Sequence, residues 1–119
     1  FTLSSLESAT GNQPFGVFQL RVGPNPFTPN GDNRHEELVI SFALSQAGDV
    51  VVSIMNLAGY SVREFKLGTC AAGDWVINWD GKDNKGRLVP SGPYLVRLVS
   101  TNPNYRGQAV INRFILVVR

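Results

Sequence analysis

The chain has 119 residues, a formal net charge of +2 and a hydrophobic fraction of 43%. This length suits one domain with a hydrophobic core and is short for two. The Lys and Arg residues are scattered along the chain, so no basic stripe is available to neutralise a phosphate backbone. Charge and composition therefore argue against nucleic acid as a partner.

No stretch of the sequence is apolar over the roughly 20 residues that a membrane-spanning helix requires, so we expect no membrane span. The pattern of a signal peptide, a charged start followed by an apolar centre, is not seen either. The first residue is Phe1 and not Met, from which we expect a mature or excised piece of a longer protein.

Residues 1–14 are polar and weakly patterned, and we interpret them as an N-terminal arm or linker that enters a domain at 15–119. The arm carries a few apolar side chains, Phe1, Leu3 and Leu6, that would serve as anchors if it joined neighbouring copies of the chain.

Seven segments have strand character and are separated by turn signals at short intervals. The predicted strands are 17–23, 36–44, 49–56, 61–67, 74–79, 93–101 and 108–118. The second shows the clearest alternation, with Leu38, Ile40 and Phe42 on one side. Polar links with a glycine at 45–49 and 56–60 predict hairpins on either side of the third strand.

No segment carries a sustained apolar repeat at helical spacing, so the sequence predicts an all-β protein. Seven short strands with this turn spacing favour a two-sheet β-sandwich of the immunoglobulin or fibronectin III type. A small barrel is the alternative architecture.

Two tryptophans and one cysteine need an interpretation of their own. Trp75, Ile77 and Trp79 share one side of the fifth strand, which favours packing in the core or between sheets. An exposed pair of rings that stacks on sugars is the alternative, and carbohydrate is not the expected ligand. Cys70 is the single cysteine, in what reads as a small-residue turn at 68–73, and we expect a packed or unused thiol.

Several motif residues occur in a fixed order along the chain. They are Pro24, Asn25, Pro26, Phe27, Gly59, Trp79, Asp80, Gly81, Asp83, Gly86, Ser91, Gly92 and Tyr94. In this combination, over about residues 22–119, the chain resembles the immunoglobulin-like domain family shared by flagellar hook-capping proteins and the C-terminal sorting domains of type IX secretion. The closing apolar strand, 114–119, is similar to the end of those sorting domains.

Two features depart from the family pattern. Pro93 stands where the family usually has a backbone donor, which predicts that this strand begins at an edge or outside the ladder. The segment 101–107 is longer and more polar than the usual final turn.

We expect the motif residues to act structurally. Trp79 should anchor the core, while Asp80 and Asp83 should fix the loop that follows it. The glycines of the motifs should permit tight turns, and Pro26 with Phe27 should hold the entry of the first strand.

Metal and catalytic sites are the competing interpretations of the polar loops. Asp32 lies in one oxygen-rich loop, and Asp80 and Asp83 lie in a second, but the helix-loop-helix calcium pattern fails in both loops. A structural calcium is therefore the minor alternative, and no cofactor is expected. His35 precedes acidic residues, yet no nucleophile motif accompanies it, and no enzyme activity is expected.

Two functions from different classes remain. The first is a non-catalytic module of an exported bacterial surface protein, which sorts, anchors or spaces that protein through contacts with the secretion or cell-surface machinery. The second is a structural subunit of an extracellular filament or appendage, joined to its neighbours by strand addition through the arm. Both place the chain outside the cell or at its surface.

Overall fold

The computed structural model describes residues 17–29, 37–102, 104 and 108–119. Within them the chain forms seven β-strands and no helix, which confirms the all-β prediction. The strands are β1 (Val17–Gly23), β2 (Leu38–Leu44), β3 (Gly48–Asn56), β4 (Ser61–Cys70), β5 (Gly73–Trp79), β6 (Gly92–Thr101) and β7 (Gln108–Val117). In the described part of the chain no helix is long and apolar enough to cross a membrane.

The strands form two antiparallel sheets, one in the order β1-β2-β5 and the other in the order β4-β3-β6-β7. The sandwich prediction is therefore confirmed, and the barrel alternative is not what the chain adopts. In a constant-type immunoglobulin domain the fourth strand joins the sheet of the first two. Here β4 pairs with β3 in the other sheet.

The core lies between the sheets, where alternate residues of each strand point inward. In β2 and β3 every second side chain is buried. Trp75 and Ile77 of β5 are half-buried and pack against this core, while Trp79 at the end of the same strand is fully buried. The alternation of apolar residues in the sequence thus identifies the inward face correctly.

The hairpin predicted at 45–49 is wrong. β2 pairs with β1 and β5, whereas β3 pairs with β4 and β6, so the link carries the chain from one sheet to the other. Short polar links serve both purposes, since each needs only a reversal of the chain with solvated backbone groups. The turn predicted at 56–60 is a hairpin, and it is closed by a hydrogen bond from the Asn56 N–H to the Tyr60 carbonyl (2.9 Å).

β4 is longer than predicted because a glycine that reads as a turn is a bulge. Val50 pairs with Gly68 and Val51 with Lys66, so one extra residue lies in β4. Gly68, next to the unpaired Leu67, has a φ of 70°, which glycine adopts without strain. The strand therefore continues to Cys70, which is buried and not in a turn.

Pro93 lies inside a ladder, opposite Leu116 of β7, so the prediction that it stands outside is wrong. The N–H and C=O of Leu116 point away from β6, because they bond to Asn25 Oδ1 and the Phe27 N–H. The β3 ladder ends at Asn56 opposite Tyr94. The nitrogen of Pro93 thus faces the side where β3 has already ended, so no ladder hydrogen bond is lost by its lack of an N–H. This agrees with the prediction that the strand begins at an edge.

Candidate functional site

The motif residues converge at one end of the sandwich, where β5 ends, β6 begins and β7 ends. We call the residues Asn25, Phe27, Trp79, Gly81, Asp83, Ser91 and Tyr94 the motif cluster. They come from three separate parts of the sequence and are brought together by the pairing of the strands.

Three aromatic rings form the buried base of the motif cluster. The Phe27 and Trp79 ring centroids lie 5.6 Å apart, and those of Trp79 and Tyr94 lie 6.3 Å apart in an edge-to-face arrangement. Phe27 and Trp79 are fully buried, and the Trp79 indole N–H donates to the Lys82 carbonyl at 2.8 Å. The indole is thus packed and has its polar group satisfied, which makes it part of the core.

Gly81 lies in the loop of residues 80–91, which we call the polar loop, and it connects this loop to the first motif, residues 24–27. A Cβ atom at this position would lie 2.8 Å from Pro29 Cγ and 3.3 Å from Phe27 Cε2, closer than side chains pack. Its φ is 83°, and its carbonyl accepts a hydrogen bond from the N–H of the buried Val89. The absence of a side chain therefore allows the loop to lie directly on residues 27–29.

The carboxylates of the loop bind the loop's own backbone. Asp80 Oδ1 accepts from the Lys82 N–H at 3.0 Å. Asp83 Oδ1 accepts from the Lys85 N–H at 2.9 Å and from the Arg87 N–H at 3.0 Å. These bonds, first of all the one from Arg87, hold the pKa of Asp83 below its ordinary value.

These bonds bear on the calcium hypothesis. Asp80 also lies 3.9 Å from Arg63, and Asp83 lies 3.7 Å from Arg87, so each carboxylate already has cationic and N–H partners. In the part of the chain that the structure describes, no three His, Cys, Asp or Glu side chains are grouped so that they could hold a metal ion. Asp32, the third calcium candidate, lies outside the described residues, as does His35.

The same loop covers the outer edge of β4. The Asn84 N–H donates to the Val62 carbonyl at 2.9 Å, and Asn84 Oδ1 accepts from the Glu64 N–H at 3.1 Å. Asn84 was not singled out from the sequence. Its neighbour Asp83 marks the loop as ordered, but the sequence does not show which strand the loop would reach.

The first motif binds the outer edge of β7 at the opposite side of the sheet. The Phe27 N–H donates to the Leu116 carbonyl (2.8 Å), and the Val118 N–H donates to the Phe27 carbonyl (2.9 Å). Asn25 Oδ1 accepts from the Leu116 N–H at 3.0 Å. Phe27 and Val117 thus form a short parallel bridge that closes this end of the sheet edge.

Ser91 holds the chain beyond that bridge. Its hydroxyl oxygen accepts a hydrogen bond from the Arg119 N–H at 2.9 Å. We call Asn25, Phe27 and Ser91 the C-terminal clamp, because all three bind the backbone of residues 116–119. The sequence singled out these residues, but not their shared partner.

Tyr94 closes the start of β6 as a tyrosine corner. Its hydroxyl group donates to the Pro90 carbonyl at 2.7 Å, four residues upstream, while its ring is buried against Trp79. Burial raises the pKa of the phenol, although the charge of Arg119 acts in the opposite direction. Tyr94 therefore joins the core to the segment that carries Ser91.

The remaining motif residues shape the backbone. Pro24 and Pro26 follow cis peptide bonds, and Gly92 is the first residue of β6. Gly59 lies in the β3–β4 turn, and Gly86 lies in the polar loop, where its N–H donates to the Asp83 carbonyl at 3.0 Å. The arm residues Phe1, Leu3 and Leu6 lie outside the described part of the chain.

Cys70 is a potential nucleophile that lies within the described part of the chain. Its side chain is buried at the end of β4, and burial together with the nearby Asp49 charge raises the pKa of the thiol. A raised pKa disfavours the reactive thiolate. The arrangement as a whole binds backbone groups and holds strands together.

Comparison with known proteins identifies relatives of this arrangement. The family model described as the FlgD Ig-like domain matches residues 29–104. Over 60 residues, 50% of this chain, the sequence is 35% identical to the basal-body rod modification protein FlgD of Salmonella typhimurium. The aligned part covers 26% of that relative, so the chain corresponds to about a quarter of its length.

Two solved structures share the fold at 22% sequence identity. Dimeric latent PorU from Porphyromonas gingivalis matches with a TM-score of 0.70, over 92% of this chain and 10% of that one. PorZ, described as an essential bacterial surface component of the type-IX secretion system of the same organism, matches with a TM-score of 0.51 over 84% and 11% of the respective chains.

Proposed function

Because the chain belongs to the FlgD Ig-like domain family, we propose that it is a non-catalytic module of an exported bacterial surface protein. In this role it sorts, anchors or spaces the protein to which it is joined. Its working location is outside the cell or at the cell surface, and its partners are proteins of the secretion or surface machinery.

The proposal rests on one observation, namely that the motif side chains bind the chain's own backbone or are buried. The polar groups of Asn25, Asp83 and Ser91 bind the chain's own backbone N–H groups, and the ring of Trp79 is fully buried. Such residues give a rigid scaffold with defined edges. A domain of this kind acts through its surface, without making or breaking a bond.

The likeness to PorU and PorZ is one of fold, and of the two PorZ is described as a bacterial surface component. In both, the matched part is a small fraction of a much longer chain. This agrees with a module that works within a larger protein.

The relationship to FlgD favours a second candidate, a structural subunit of an extracellular assembly. The relative is named as a basal-body rod modification protein, and it is 35% identical to this chain over 60 residues. In this second role, residues 1–14 would join neighbouring copies by strand addition.

A reporter fusion tests the sorting role. A fluorescent protein is fused upstream of the 119-residue chain in a bacterium that has a type IX secretion system, and surface fluorescence is measured after protease treatment of intact cells. We expect the reporter at the surface with the native chain. A matched fusion that carries Trp79→Ala should lose it, because the fold is disrupted. Retention of the native fusion inside the cells would contradict a sorting role.

A further inference from the structure

The outer edge of β5 is open. β5 pairs with β2 over residues 73–79 without a shift in register, and it lies along no other strand of the described chain. In such an edge strand, alternate residues direct their N–H and C=O groups away from the neighbouring strand. Within the described residues, none of these outward groups of β5 has a backbone hydrogen-bond partner.

The other edges of the sandwich are covered or interrupted. β1 and β7 lie close beside each other, and residues 25–27 bind the end of β7. Asn84 binds the backbone of β4 at Val62 and Glu64, and the pairing of β4 with β3 shifts register twice. β5 has none of these protections, so in the described structure its edge is the accessible one.

The smaller sheet also leaves the inner face of β4 with none of the described strands opposite it. Three strands face four, and β1 lies beside β7, so the fourth strand of the larger sheet extends past β5. The inward apolar side chains on this side of the sandwich are only half-buried, and they include Phe65 and Leu67 of β4 and Trp75 and Ile77 of β5. A strand added beside β5 would cover these side chains and complete the smaller sheet.

The open edge has two defined ends. At one end the polar loop leaves β5 at Asp80, which lies 3.9 Å from Arg63, and runs to the backbone of β4. At the other end residues 71–72 join β4 to β5. An added strand can therefore pair with residues 74–78.

Carboxylates stand on the outer face beside this edge. Asp74 is exposed and has no hydrogen-bond or ion-pair partner in the part of the chain that the structure describes. Glu37 is also exposed, and one of its two oxygens accepts a hydrogen bond from the Asn78 side chain at 3.3 Å. Arg21 lies in β1, on the far side of β2. The edge therefore suits a strand that carries cations on its outward face.

The same charges disfavour a second copy of the chain as the occupant. In an antiparallel pairing of two β5 strands centred on Val76, Asp74 of each copy would lie opposite Asn78 of the other. Because Glu37 is bonded to Asn78, its carboxylate would then stand beside Asp74 of the other copy. Symmetry would repeat this contact of like charges, which is destabilising.

We propose that the open edge of β5 binds an extended segment of a partner protein as a fourth strand of the smaller sheet. The segment is apolar on its inward face and basic on its outward face. Its apolar side chains pack on Trp75 and Ile77, and its cations pair with Asp74 and Glu37. The inference rests on the proposed function, in that it names the surface through which the module meets its protein partner.

A designed peptide provides the probe. The sequence Thr-Lys-Val-Thr-Val-Lys-Thr reads the same in both directions, so it presents valines inward and lysines outward in either strand orientation. Its control, Thr-Glu-Val-Thr-Val-Glu-Thr, keeps the length and the valines but reverses the charge. Binding to the isotope-labelled 119-residue chain is measured by NMR titration of backbone amides. We expect saturable shifts centred on residues 73–78 with the lysine peptide, and much weaker shifts with the glutamate peptide.

Methylation of the peptide backbone tests strand addition itself. One derivative carries N-methyl groups on both valines, and the other carries them on both lysines. In a strand, one of these two sets of N–H groups faces the edge of β5 and the other faces away. One derivative should therefore raise the Kd by about tenfold or more, while the other should bind like the parent peptide. This comparison leaves the protein unchanged, so it does not depend on the folding of a variant.

A pair of charge variants locates the contact on the protein. Asp74→Lys reverses the unpaired charge beside the edge, and we expect it to raise the Kd of the lysine peptide by about tenfold. Glu64→Lys makes the same change in charge on β4, whose outer edge is already bound by Asn84, and should leave the Kd unchanged.

Four results would overturn the proposal. They are an absence of saturable shifts, shifts centred on another strand, equal binding of the two parent peptides, and equal binding of the two methylated derivatives. Shifts of the β5 amides that depend on the concentration of the chain alone would assign the edge to a second copy, and would overturn the assignment to a foreign strand. The reporter fusion is read separately, so surface display without peptide binding defeats this inference alone, and binding without display defeats the proposed function alone.

Discussion

Gly81 and Gly86 have nearly the same backbone conformation but different surroundings, with φ of 83° and 82°. A Cβ atom at Gly86 would meet no atom within 4 Å, whereas at Gly81 it would collide with Pro29. Gly86→Ala should cost about 1–2 kcal/mol for the left-handed backbone alone. Gly81→Ala should cost clearly more, measured by urea denaturation. Equal losses would show that Pro29 moves aside freely.

The two tryptophans of β5 offer a matched comparison of buried and half-buried rings. Trp79 is fully buried and contacts Phe27 and Tyr94, while Trp75 lies half-buried on the same strand face. We expect Trp79→Ala to lower the free energy of unfolding by about 3–5 kcal/mol, and Trp75→Ala to lower it by less. A loss for Trp79→Ala below that range, or one matched by Trp75→Ala, would contradict its role as a core anchor.

At the scale of elements, the C-terminal clamp should control local opening of β7. Asn25→Ala removes the acceptor of the Leu116 N–H, while the Ile115 N–H faces β6 and keeps its partner. Hydrogen exchange should therefore become faster at Leu116 than in the unmodified chain, with little change at Ile115. Faster exchange at both residues to the same extent would mean that the whole strand opens as one unit.

The polar loop should make stability depend on acid. Hydrogen bonds from the loop backbone lower the pKa of Asp83 in the folded chain, so this group stabilises the fold above the pKa of an unfolded Asp. That stability is lost as the pH falls through the folded pKa. The unmodified chain should lose more stability between about pH 6 and about pH 3 than Asp83→Asn does. Identical pH profiles in urea denaturation would show that Asp83 does not contribute.

At the same scale, the strands could be predicted from sequence and the pairing could not. Alternating apolar residues in β2, β3 and β5 reflect burial on one face, which is a local property that the sequence records directly. Whether residues 45–49 form a hairpin or cross between sheets depends on contacts far away in the sequence. Gly68 shows a similar limit, because a glycine fits a turn and a bulge equally well.

The motif cluster was predictable in its members but not in its contacts. Trp79 and Gly81 stand out by residue type, since a tryptophan at the end of an apolar strand is expected in the core and a glycine after Asp is expected in a turn. Ser91 and Asn25 bind backbone groups of residues 116–119. Every residue except proline has a backbone N–H that can donate such a hydrogen bond, so the side chains of residues 116–119 do not show which N–H groups are bound.

At the scale of the whole molecule, the motifs hold one end of a two-sheet sandwich together. The first motif and the polar loop each cover part of an edge, and the rings between them fill the core. Covered edges suit a domain that remains folded and separate. The function that we propose, a pendant module of a surface protein, therefore predicts that the chain does not build an assembly from copies of itself.

The most direct test of that claim is the solution mass of the 119-residue chain, measured by light scattering with and without residues 1–14. A pendant module should be a monomer in both forms. Oligomers that disappear when residues 1–14 are removed would contradict it, and would identify the chain as a building block joined by strand donation.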